Sequence, residues 1–209
     1  MAHRELALCD PLTYLGFMRT SDVDILMVPG WNGSGPDHWQ SRWERNLKTA
    51  RRIEQSDWAA ADKDAWVGTI IQAVAATSRP AVLVAHSLGV IAVAHAALKL
   101  PAGAVEGAFL VSAADVDNAR DWTPEQRHGW PLSSFGFAPV PLEALPFPSA
   151  LLASFDDPFC RPERARHFAA AWGSDFVEVG PAGHITTETG HGPWPDGVLR
   201  FGAFLKRLG

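Results

Sequence analysis

Residues 81–100 read AVLVAHSLGVIAVAHAALKL, two apolar runs with His86 and Ser87 between them. The first run has no polar alternation, which suits a strand buried on both faces of a parallel sheet. The second is long and rich in small residues, and reads as a buried helix. Strand must give way to helix within about three residues, and a side chain at so sharp a turn is held in a strained conformation with its tip clear of the sheet. The usual pattern is G-x-S-x-G. Here Ala85 takes the place of the first glycine and Gly89 that of the second.

Outward from this turn the same alternation repeats. Apolar runs at 23–30, 107–113, 148–155 and 175–180 predict further strands, and RRIEQ at 51–55 predicts an edge strand. Between them, 37–47, 64–76, 161–172 and 195–208 have helical spacing; Trp39, Trp43 and Leu47 fall on one face, with Asp37 and Gln40 placed as a capping box. Strand and helix in turn predict an α/β fold, a three-layer α/β/α sandwich with a mostly parallel sheet of about six strands. At 209 residues one domain is expected, 1–209, with 1–22 as an N-terminal extension. Residues 115–148, rich in proline and aromatics with no clean period, predict an irregular insertion lining a pocket.

Composition narrows the function classes. A net charge of −5 with scattered Lys and Arg argues against a nucleic-acid partner. Neither an N-terminal leader pattern nor a spanning apolar run is present, so no membrane partner is expected. Cys9 and Cys160 form no spaced framework, which points to a reducing, cytoplasmic setting. No H-E-x-x-H motif occurs and His184 and His191 lack partners at ligand spacing, so no metal is expected.

A serine hydroxyl needs a base within hydrogen-bond reach, and that base an orienting carboxylate. LLASFDDPFC places Asp156 and Asp157 after one predicted strand, and FVEVGPAGHI places His184 after the last. The chain order Ser, Asp, His is that of the α/β-hydrolases. Asp157 is preferred as the acid because Pro158 and Phe159 follow it, with Asp156 the alternative; His38, His86 and His191 are rival bases. An oxyanion needs donors. The N–H of Leu88, after the serine, is one, and that of Trp31 or Asn32, in PGWNGSGPDHW, is the other. Asn32, His38, Phe135 and Phe137 are candidate pocket walls, whereas Trp39 and Trp194 read as packing residues and Cys160 as a small buried one.

These pieces resemble the small serine hydrolases of the α/β-hydrolase superfamily related to retinoblastoma-binding protein 9. The resemblance runs from about Asp24 onward, carried by VPGWNGSGPDHWQSRWE, VAHSLGVIAVAH, DDPFCRPERA and GPAGHITTETGHGPWPDG. It implies Ser87 as nucleophile, Asp157 as orienting acid and His184 as general base, in a compact hydrolase with a minimal lid and no cofactor that cleaves small ester or amide substrates. The L-x-C-x-E element that binds retinoblastoma protein has no counterpart, since Leu8 directly precedes Cys9. Two other readings share these residues: a catalytically silent hydrolase fold that binds a protein through its tryptophans, and an acyltransferase or perhydrolase using the same serine. Oligomeric state has no signature in the sequence.

Overall fold

The computed structural model describes residues 17–127, 130 and 133–209. The expected extension at 1–22 therefore lies mostly outside the described residues, as does Cys9; of it, Thr20–Asp22 form a single 3-10 turn.

Six strands pair in parallel in the order β2-β1-β3-β4-β5-β6. They are β1 (Asp24–Val28), β2 (Ala50–Arg52), β3 (Ala81–His86), β4 (Val105–Val111), β5 (Ser149–Ala153) and β6 (Asp175–Glu178). The predicted edge strand exists, shifted to begin at Ala50, and pairs with β1 through Ile25–Met27. Among the described residues four α-helices connect strands, α1 (Trp39–Asn46), α2 (Lys63–Ala75), α3 (Leu88–Ala97) and α4 (Pro162–Trp172), and α5 (Pro195–Leu205) follows β6. This is the three-layer sandwich the sequence predicts.

Period-two side-chain direction divides the core. Leu26 and Val28 of β1, with Leu83 and Ala85 of β3, face α2, α3 and α4, packing against Trp66, Ile70, Ile91 and Phe168. Ile25, Met27, Val82 and Val84 face the opposite layer, where α1 and α5 supply Trp39, Trp43, Phe201 and Phe204. Strands apolar on both faces have no solvent side, which is why no polar alternation marks them.

The α1 N-terminus differs from the expectation. Asp37 does not cap it; its carboxylate pairs with Arg42 at 2.7 Å. His38 is the N-cap, its Nδ1 accepting the Gln40 amide N–H at 3.2 Å. Gln40 is free for other work. Fully buried, its Nε2 donates to the carbonyls of Val28 (3.3 Å) and Val84 (3.0 Å), while its Oε1 accepts from Ser34 Oγ at 2.7 Å. One amide thus joins the ends of β1 and β3.

The turn from β3 to α3 is tight, with one residue between strand and helix. Ser87 sits at φ 56°, ψ −123°, a region costing a non-glycine residue about 1–3 kcal/mol. Close backbone approach makes it possible. A Cβ on Gly89 would fall on the Val28 carbonyl oxygen and 2.6 Å from that of Pro29; one on Gly30 would lie 2.7 Å from Ser87 Cβ. Gly89→Ala should therefore destabilise the protein by at least about 1–3 kcal/mol, because backbone rather than a movable side chain opposes it. The urea midpoint checks this; an unchanged midpoint would mean that the β1 loop yields.

Candidate active site

In a parallel sheet, loops at the carboxyl ends of the strands form a crevice where neighbouring connections diverge. The chain after β1 runs to β2 on one side and the chain after β3 runs to β4 on the other, so the divergence lies between β1 and β3. Ser87, at the end of β3, stands there. Its N–H donates to the Val111 carbonyl at 3.0 Å, so β4 fixes the turn as well.

His184 and Asp157 converge on Ser87 from the loops after β6 and β5. His184 Nε2 is 2.8 Å from Ser87 Oγ, and its Nδ1 is 2.9 and 3.0 Å from the two Asp157 oxygens. Asp157 also accepts the Phe159 N–H at 2.9 Å, and its side chain is 2% exposed, so water hardly competes for it. With Nδ1–H donating to the carboxylate, the Nε2 lone pair faces the serine hydroxyl. That is the relation general-base activation of a serine requires.

Asp156 faces elsewhere. Its carboxylate accepts the N–H groups of Ala182 (3.0 Å) and Gly183 (2.8 Å) and the Ser154 hydroxyl. These donors, the Ser154 hydroxyl foremost, hold its carboxyl below the usual range. The adjacent acids thus divide between the imidazole and the loop that carries it.

Two further pins hold that loop. Trp39 Nε1 donates to the Ile185 carbonyl at 3.0 Å, and His86 Nε2–H donates to the His184 carbonyl at 2.8 Å. The rings of His38, His86 and His184 follow one another with centroids 4.9 Å apart. Burial lowers His86 well below the ordinary imidazole range and brings His38 down to about 4, so both are neutral at physiological pH. His191, the remaining rival base, instead bonds Thr189 Oγ1 through Nδ1 at 3.0 Å.

The backbone donors also separate. Asn32 N–H is committed to the Trp58 carbonyl at 2.9 Å. Leu88 N–H, at the first position of α3, and Trp31 N–H have no hydrogen-bond partner among the described residues.

A cavity of about 470 Å³ opens over Ser87. Trp31, Trp122, Trp130 and Phe159 form an apolar wall, while His38, Thr186, Thr187 and Glu188 form a polar one. Asn32 and His38 line it as expected from the sequence. Phe135 and Phe137 do not. Phe135 packs behind the wall against Trp31 and Trp130, with centroids at 6.3 and 5.2 Å. Phe137 is fully buried, edge-on to Trp66 at 5.8 Å. The irregular segment does reach the cavity, but through Trp122 and Trp130, which the sequence reading did not single out. Phe159 was readable from its place two residues after Asp157. Glu188 lay within the quoted GHITTETG stretch, unmarked by any local pattern.

Trp194 and Cys160 lie off the cavity. Trp194 packs against Trp39 and Trp43. Burial pushes the Cys160 thiol far above its ordinary range, which keeps it protonated. Among the described residues no helix is long and apolar enough to cross a membrane, and no group of three His, Cys, Asp or Glu side chains converges as a metal site would need.

Comparison with known proteins agrees with this architecture. A protein described as a ydeN-like hydrolase from Pectobacterium atrosepticum is 33% identical, the match covering 90% of this chain and 94% of that one with a TM-score of 0.78. The ydeN gene product of B. subtilis (18% identity, 86% and 97% covered, TM-score 0.67) shares the fold. So does the esterase domain of a Rhodothermus marinus protein (18%, 88% and 87%, TM-score 0.60). A search of curated protein sequences gives no match. The fold is that of the α/β-hydrolases. The serine hydrolase family model matches residues 25–203, spanning all six strands and the cavity above them, and the chain belongs to that family.

Proposed function

We propose that this hydrolase cleaves small ester or amide substrates through an acyl-enzyme on Ser87. The observation that carries the reading is the unbroken hydrogen-bond chain from Ser87 Oγ through His184 to the buried Asp157, at the floor of an open cavity. The resemblance of the sequence signatures quoted above to the retinoblastoma-binding protein 9 group supports the same reading.

In this mechanism Ser87 Oγ attacks the carbonyl carbon while His184 Nε2 takes its proton, and Asp157 steadies the imidazolium. The N–H groups of Leu88 and Trp31 receive the negative charge that develops on the carbonyl oxygen. They are suited to this because neither has a partner among the described residues, whereas the Asn32 amide does. The leaving group departs with the proton from His184. Water, deprotonated by the same nitrogen, then attacks the acyl carbon, the acid is released, and Ser87 recovers its hydrogen. The apolar wall offers a surface for the carbon chain of the substrate.

Intact-mass analysis after exposure to a fluorophosphonate should show one adduct on the parent protein and none on Ser87→Ala, with both giving the same thermal unfolding curve. An unlabelled, well-folded parent would overturn the reading in favour of a silent fold that binds a partner. Asp157→Asn should lower turnover of an activated ester by about 10⁴-fold, as loss of the orienting carboxylate does in serine proteases. Asp156→Asn should cost far less, since it loosens only the His184 loop. The reverse ranking would move the acid to Asp156.

A further inference from the structure

The polar wall of the cavity contains a donor whose direction is set by the fold. His38 Nδ1 accepts the Gln40 amide N–H, so that nitrogen must carry a lone pair. The ring is neutral and its proton therefore sits on Nε2. His38 is 6% exposed, and Trp39 and His86 crowd its ring, with centroids at 5.4 and 4.9 Å. Nε2–H has no hydrogen-bond partner among the described residues, although His38 lines the cavity. The ring is thus held in place by its neighbours while its one free donor opens onto the cavity, where a bound molecule can accept from it.

Glu188 lines the same wall, on the Thr187–Thr189 turn. Its carboxyl is held below the usual range, by the Thr186 hydroxyl first, and it has no ion-pair partner among the described residues. Among the described residues no Lys or Arg side chain lines the cavity.

We infer that His38 and Glu188 together recognise a hydroxyl group on the substrate, near the bond that Ser87 attacks. A hydroxyl oxygen accepts from His38 Nε2–H while its proton goes to Glu188. The alternatives fit less well. A carboxylate would suit His38 but face the Glu188 charge, and an ammonium would suit Glu188 but leave the imidazole N–H unpaired. The substrate is thus an ester or amide of a hydroxylated acid or of a polyol. This inference rests on the acyl-transfer reading above.

Two isosteric pairs test it and distinguish the two sides of the scissile bond. Ethyl 3-hydroxybutyrate against ethyl 3-methylbutyrate places the hydroxyl on the acyl side; 2-hydroxyethyl butyrate against propyl butyrate places it on the alcohol side. Acid release by titration gives kcat and KM for the parent, His38→Asn and Glu188→Gln. Asparagine retains the capping acceptor but is too short to present a donor in place of Nε2. In one pair, the parent should favour the hydroxyl member by at least about tenfold in kcat/KM over the ratio for hydroxide-catalysed hydrolysis. Both variants should bring that excess down to about threefold or less, mainly through KM. Glu188→Gln, on an exposed turn, carries the test by itself should His38→Asn fail to fold.

A fluorophosphonate-labelled parent with no hydroxyl preference in either pair would overturn this inference and leave the acyl-transfer reading standing. A preference that survives in both variants would overturn the assignment to these residues. An unlabelled parent would overturn both readings.

Discussion

Everything at the carboxyl edge of the sheet depends on how closely three backbone segments approach one another at Ser87. The residue is held in a strained conformation because β3 must end and α3 begin at one point, with the end of β1 packed directly beneath. Gly30 and Gly89 leave no room for a Cβ, and Gln40 ties the β1 and β3 carbonyls together. The serine is thereby placed by the most buried part of the sheet rather than by a loop. A side chain held this way does not have to be ordered when a ligand arrives.

His184 has no such support from regular structure, and its position is set by polar contacts instead. Asp156 gathers the amides before it, His86 takes its own carbonyl, and Trp39 takes the next one. The indole of Trp39 belongs to α1, in the layer facing away from α3. The imidazole is thus registered against one helical layer and the serine against the other, with the sheet as the common reference. Both layers must be packed before the 2.8 Å contact between them exists.

What could be read along the chain was whatever depends on near neighbours. Buried strands announce themselves by unbroken apolar runs, the elbow by small residues around Ser87, and Asp157 and His184 by their places after strands. The α1 cap was misread for a related reason. Asp37 and Gln40 have capping-box spacing, but the amide of Gln40 does more when it satisfies two buried carbonyls than when it closes a box at the surface. Phe135 and Phe137 lie two apart in an irregular segment, where no period tells an inward ring from an outward one. The aromatic wall joins Trp31 to residues about a hundred positions away, so only the tertiary fold could assemble it.

The three neighbouring imidazoles raise an electrostatic question that burial resolves. Rings with centroids 4.9 Å apart would repel strongly if more than one carried charge. His86 is fully enclosed and spends its proton on a carbonyl; His38 spends its lone pair on a helix terminus. Each is fixed in a neutral tautomer by a backbone partner. His184 differs because its Nδ1 faces the Asp157 carboxylate rather than a backbone group, which leaves Nε2 turned to Ser87. In the proposed reaction a proton leaving Ser87 therefore has one imidazole to go to, and the neutral neighbours add polar contacts beside it without a competing positive charge.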